Sequence, residues 1–266
     1  MVDFWHKQTP GQALFEDVLW NKPERRDQAG RLAIVGGSSS GFAAVAIAYN
    51  TANQQGVGEI RAIVPDVLAK KIPLAVRSQL GELIFAPSNP SGGFSSDAIN
   101  EIGALANWAG QVLLIGDSGA NFETVQLIGR FLSSSDYEDI NLTIARDAVD
   151  LVINDSELVL NRKHTHLILS LAQLQKIARA VYYPRIITFK QGVKQMAETL
   201  HKFTITYPAT ITVYHDGNLL VASNGQVVSM EFDNPIKIWN GEIPARIAAW
   251  SVWSDDTLKA TATAWL

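Results

Sequence analysis

Twice in this chain a short, wholly apolar run breaks off at glycine and is followed by a helical pattern. Arg31-Leu32-Ala33-Ile34-Val35 stops at Gly36-Gly37, and Gln111-Val112-Leu113-Leu114-Ile115 stops at Gly116-Asp117-Ser118-Gly119-Ala120-Asn121. A strand apolar on both faces is buried between two layers, as in parallel sheets. After Ser38-Ser39-Ser40-Gly41 the Ala-rich stretch 42–49 reads as a helix, and Glu59-Ile60-Arg61-Ala62-Ile63-Val64-Pro65 as the next strand. That is a βαβ unit, and repeating it commits the chain to an α/β fold.

The rest of the pattern extends this plan. Strands are expected at 83–86, 142–147 and 164–170, and helices at 97–108, 122–132, 171–180 and 191–203. A helix over 69–80 is broken by Pro73, and a helical turn over 15–20 ends at Pro23. The stretch 87–96, rich in Pro, Ser, Asn and Gly, is expected to be an exposed loop. Late in the chain, segments 209–214, 219–223 and 226–230 are separated by Asp216-Gly217 and Asn224-Gly225, the turn signals of a β-meander. Residues 257–266 close the chain as a strand or a helix. With no repeat, linker or low-complexity tract, we read residues 1–266 as one domain, with 1–30 an extension packed on its outside.

Composition removes several classes of function. The net charge is −4 without a basic block, so neither nucleic acid nor a membrane surface is expected as main partner. There is no cysteine, which excludes disulfides, thiolate metal sites and cysteine nucleophiles. The first seven residues carry an acid and no apolar core of a secretory signal, and no run approaches the length of a membrane span. A cytoplasmic protein is expected.

The glycine loops are not the dinucleotide fingerprint, and no Gly-Lys-Ser/Thr follows as a P-loop requires. Gly37 and Ser38 nevertheless stand at a strand's carboxyl end, where open α/β sheets bind ligands; a plain tight turn is the alternative. Asp117 suits a hydroxyl or a metal, and equally suits capping the helix that follows it. His164 and His166 fall on one face of their strand, but no third ligand or His-Glu-x-x-His accompanies them. An exposed pair is expected there, and no metal site. Near the C-terminus, Asn240-Gly241-Glu242 joins a loop to a helix with Pro244 in its first turn. Free N–H groups at such a helix start can hold an anion.

Taken together, residues 29–253 resemble the ribokinase-like fold, and within it the ADP/ATP-dependent NAD(P)H-hydrate dehydratase family. The resemblance is carried by Gly30 to Ser38, by Gly56-Val57-Gly58, by Leu113 to Gly119, and by Asn234-Pro235 with Gly241-Glu242. It implies a three-layer sandwich: a mostly parallel sheet flanked by helices, with a C-terminal β-meander. It implies phosphate binding at Asn240 and Gly241, Glu242 as the acid-base residue, and substrate contacts from Gly37, Ser38 and Asp117. The implied ligands are ADP or ATP, with Mg2+ as companion ion, and NAD(P)H hydrate as substrate. A homo-oligomer is expected, with Trp5, Trp20 or Trp253 marking a subunit contact.

The chain also departs from that family. Asp117 replaces a proline, and Glu242 replaces aspartate. Lys237, Ile238 and Trp239 stand where the family has glycines and small residues. Ser170-Leu171-Ala172-Gln173 replaces His-Pro-Gly-Glu, and His215-Asp216 replaces a lysine-glycine pair. A carboxylate displaced by ~1 Å costs roughly 100-fold in rate. Three readings follow: a dehydratase of full, reduced or lost activity, a non-catalytic binding or assembly module, and a ribokinase-like small-molecule kinase.

Overall fold

The computed structural model describes residues 4–119 and 121–266. Readings that touch Met1, Val2, Asp3 or Ala120 therefore lie outside the described residues. In chain order the elements are β1 (Trp5–Gln8), α1 (Glu16–Leu19), β2 (Arg31–Gly36), α2 (Ala43–Gln55), β3 (Glu59–Pro65), α3 (Leu74–Gln79) and β4 (Glu82–Ala86). Next come α4 (Ile99–Trp108), β5 (Gln111–Gly116), α5 (Phe122–Ser133), β6 (Leu142–Ala145), α6 (Ala148–Leu151), α7 (Ser156–Asn161), β7 (Thr165–Leu169), α8 (Leu171–Ala180) and α9 (Val193–Thr206). The meander β8 (Thr210–His215), β9 (Asn218–Ser223) and β10 (Gln226–Glu231) leads to α10 (Ile236–Trp239), α11 (Glu242–Ser251) and α12 (Thr257–Ala264).

All ten strands form one sheet, ordered β1-β10-β9-β8-β7-β6-β5-β2-β3-β4. From β4 to β8 neighbouring strands are parallel; β9 is antiparallel to both β8 and β10. Strand alternation explains why the apolar runs are continuous. In β2, Ala33 and Val35 join the core on one face, while Leu32 and Ile34 join the core on the other. Helices α4, α5, α8 and α9 cover the first face; α2, α11 and α12 cover the second. Residues 257–266 thus close as a helix.

Three expectations are corrected. The N-terminal segment is not only an outer layer: β1 pairs parallel with β10, Trp5 opposite Val227, and becomes a sheet edge. Only four residues long, it lacks the length for a visible period-two pattern. The stretch 87–96 is folded inward, with Phe94 fully buried and the Asn89 amide donating 2.8 Å to the Phe94 carbonyl. Side-chain amides satisfy backbone there that a Pro/Gly composition suggested would face water. His164 and His166 are not an exposed pair. His164 precedes β7 and is exposed, whereas His166 is buried within it, its Nε2 2.8 Å from Thr212 Oγ1. Burial pushes the His166 pKa down to about 3, so the imidazole is neutral.

Candidate site at the carboxyl edge

Chain order fixes where a ligand crevice belongs. From β2 the chain winds outward through β3 and β4, then returns so that β5 lies on the other side of β2. The carboxyl ends of β2 and β5 therefore form the switch point at which open α/β sheets bind ligands. Gly37, Ser38 and Asp117 lie there, and α11 packs against α2 and β5 from above. At Gly241, the residue before α11, φ is +101°, and an added Cβ would meet Ile115 and the Ala44 carbonyl. Only glycine suits both the left-handed backbone and this contact.

The residues named from sequence are thus brought to one edge, and each makes hydrogen bonds within the protein. Gly37 N–H donates to the Gly116 carbonyl at 2.8 Å, and Ser38 N–H to the Gly41 carbonyl at 2.8 Å. Ser38 is buried, its hydroxyl 3.1 Å from that of Ser40. The inward-folded 87–96 loop covers this turn, with the Gly92 carbonyl accepting from Ser39 N–H. Asp117 does cap a helix, but not the one that follows it: its Oδ2 accepts from Ala44 N–H at 3.0 Å, in the first turn of α2. The following helix, α5, is capped instead by Asn121, whose side chain accepts from Thr124 N–H.

The central residue, Arg146, was not singled out in sequence. It sits just past β6 at φ +57°, as does Asp117 past β5. Its Nη2 lies 3.0 Å from Asp117 Oδ1, its Nε donates 2.6 Å to the Trp239 carbonyl, and its Nη1 donates 3.2 Å to the Ile115 carbonyl. One guanidinium fork therefore ties the ends of β5 and β6 to the last turn of α10, a role for which lysine lacks the planar spread of donors. A cation directly after an apolar strand was the available signal.

At α11, where an anion site is expected, groups of the turn pair with one another. Asn240 Oδ1 accepts from Glu242 N–H at 2.9 Å, and Gly241 N–H points to the Ile238 carbonyl at 3.4 Å. Lys237 Nζ lies 2.9 Å from Glu242 Oε1, on a pair only partly exposed. One turn on, Arg246 Nε is buried without a hydrogen-bond partner among the described residues. Burial lowers the Arg246 pKa, and the Glu242 carboxylate opposes that shift. Trp239 is half-buried against the apolar core beneath α11.

The other altered positions are likewise structural. Ser170 and Gln173 form a reciprocal capping box at the start of α8. Gln173 Nε2 also donates 2.8 Å to the Arg146 carbonyl and 2.9 Å to Asp150 Oδ2. His215 Nε2 pairs with the Gln191 carbonyl. Clefts of about 430, 680 and 820 Å3 open elsewhere on the molecule, and none is lined by Gly37, Ser38, Asp117, Asn240, Gly241 or Glu242. Among the described residues no three His, Asp or Glu side chains cluster as metal ligands, and no helix is long and apolar enough to cross a membrane.

Of the tryptophans, Trp5 donates to Ser229 Oγ at 2.9 Å and Trp253 to the Ala29 carbonyl at 2.9 Å, so both have partners inside the chain. Trp20 is 88% exposed.

No family model matches this sequence, and no curated protein matches it. Solved structures do. A ribokinase-like superfamily protein of Enterococcus faecalis V583 superposes with a TM-score of 0.73 at 13% identity, covering 99% of this chain and 86% of that one. An ADP/ATP-dependent NAD(P)H-hydrate dehydratase of Bacillus subtilis, co-crystallised with ATP/Mg2+, gives 0.64 at 13% identity over 96% and 86%. A phosphomethylpyrimidine kinase of Clostridium difficile 630 gives 0.54 at 11% identity over 88% and 96%. The fold of this chain, with its mostly parallel ten-stranded sheet between helical layers, is ribokinase-like.

Proposed function

We propose that the chain is a non-catalytic counterpart of the NAD(P)H-hydrate dehydratases, a ribokinase-like binding or assembly module whose nucleotide and acid-base sites are closed by its own side chains. The observation that carries this reading is the pairing at α11. The carboxylate positioned for acid-base work is held by Lys237, and the first N–H of the helix is held by Asn240. An anion arriving there has to displace a charge-assisted contact and a capping bond before gaining any of its own.

The donor set consequently does not fit a nucleotide phosphate. Glycines admit phosphate to the backbone because they have no side chain; here Lys237, Ile238 and Trp239 form α10 instead. The crevice on the substrate side is also filled, by Asp117 on α2, by Arg146 between strand ends and by the loop that covers Ser39.

Thermal unfolding with ligand tests this reading, because any ligand that binds only the folded state must raise the midpoint. ADP, ATP with Mg2+ and NADPH at millimolar concentration are expected to leave it unchanged. A saturable rise with ADP or ATP, lost in Lys237→Ala, would contradict the closed site.

A further inference from the structure

Charge is placed unevenly along this chain. Between Glu157 and Glu198 there is no acidic residue at all, while seven lysines and arginines fall in the same interval. Only Arg162 and Lys163 are adjacent, so no basic block shows in the sequence. The fold brings two of them, Arg179 and Arg185, to one cavity.

The cavity exists because of how α8 ends. Tyr183 N–H donates 2.8 Å to the Ala178 carbonyl and Tyr182 N–H 3.2 Å to the Arg179 carbonyl, with Tyr182 at φ +52°. This is a Schellman-type stop, and it turns the chain back along its own helix. The returning segment is pinned where the Gln175 amide donates 2.8 Å to the carbonyl of Ile187, a side chain only 6% exposed. Between helix and returning segment lies a cavity of about 220 Å3, lined by Gln175, Arg179, Tyr183, Arg185, Ile186 and Ile187.

Its chemistry is two-sided. Among the described residues neither Arg179 nor Arg185 has an ion-pair partner. Both side chains line the one cavity, and the planar fork of a guanidinium matches phosphate or carboxylate. Ile186 and Ile187 supply an apolar wall beside them. The volume is below the roughly 300–1,000 Å3 typical of drug-sized ligands, so the occupant is compact.

We propose that this cavity binds a small anion, a phosphate or carboxylate group carried on an apolar body about the size of one aromatic ring. The site is independent of the carboxyl edge and of the reading given for it.

Titration of the full chain with phenyl phosphate, benzoate and inorganic phosphate, followed by calorimetry and by thermal unfolding, tests the proposal. Phenyl phosphate or benzoate is expected to bind with a dissociation constant below about 1 mM, the tighter of the two identifying the anion. Inorganic phosphate is expected to bind at least roughly tenfold more weakly, since it leaves the isoleucine wall unused. The double substitution Arg179→Ala with Arg185→Ala is expected to weaken binding by at least roughly tenfold without shifting the midpoint of the unliganded protein, as both side chains are exposed. No saturable binding by either organic anion at about 10 mM, or equal binding by the double variant, would overturn the proposal.

Discussion

Lys237 Nζ lies 2.9 Å from Glu242 Oε1, across the turn that joins α10 to α11. That contact decides how the carboxyl edge is read. The Glu242 carboxylate pairs with a lysine five residues earlier in the chain. Asn240 completes the closure by accepting the N–H of the same glutamate.

Exposure of the pair sets its energetic weight. With 41% and 29% of the two side chains still accessible, the ion pair contributes no more than about 1 kcal/mol. Lys237→Met is therefore expected to change the unfolding free energy by less than about 1 kcal/mol in urea titration. Asn240→Ala removes a capping acceptor and is expected to cost about 1 kcal/mol. A larger loss for Lys237→Met than for Asn240→Ala would mean that the pair, rather than the cap, holds the turn.

Arg146 is expected to matter more. Its side chain is about four-fifths buried and serves Asp117, Ile115 and Trp239 at once. Arg146→Ala leaves the Asp117 carboxylate with the Ala44 N–H but no cation, and strands two carbonyls. A loss of roughly 2–4 kcal/mol is expected. Asp117→Asn in the same chain should recover part of it, as a double-mutant cycle can measure. Additive losses would show that the two residues are not coupled.

His166 gives the fold an acid limb. Its folded pKa, about 3, is depressed from an ordinary 6.5. Above pH 6.5 both states are neutral and the group has no effect. Below it the unfolded chain takes up a proton that the folded chain refuses, so stability falls by on the order of 1.4 kcal/mol per pH unit until the folded pKa is reached. Between pH 6.5 and 5 this group is expected to remove about 2 kcal/mol. His166→Gln should flatten that part of the pH–stability curve; an unchanged slope would assign the acid limb to other groups.

Tyr182 occupies a position that glycine fills best. At φ +52° its left-handed backbone costs roughly 1–2 kcal/mol, and its side chain is 92% exposed. Tyr182→Gly is expected to raise the unfolding free energy by about 1 kcal/mol, part of the relief being offset by the entropy glycine loses on folding. A lower midpoint in the variant would show that the ring makes a stabilising contact.

The sheet was legible because its strands are long enough, and apolar enough, to declare burial on both faces. The meander was legible because Asp216-Gly217 and Asn224-Gly225 supply turn residues at hairpin spacing; Asp216, Gly217, Asn224 and Gly225 all take positive φ. The edge strand Trp5–Gln8 was not legible, since four mixed residues carry no period. Gly37, Ser38, Asp117 and Glu242 were brought to one edge, but their partners were hidden. Lys237 is near Glu242 in sequence, yet only the short helix α10 aims it at the carboxylate. Arg146 meets Asp117 and Trp239 across 29 and 93 positions, a closure that no local pattern encodes.

Recovery of NADPH absorbance from hydrated NADPH, with ADP or ATP and Mg2+, tests the closed-site reading most directly. The wild-type chain and Glu242→Gln are expected to show the same rate, that of the reaction without protein. Turnover by the wild type that disappears in Glu242→Gln would contradict the account and restore Glu242 as an acid-base residue.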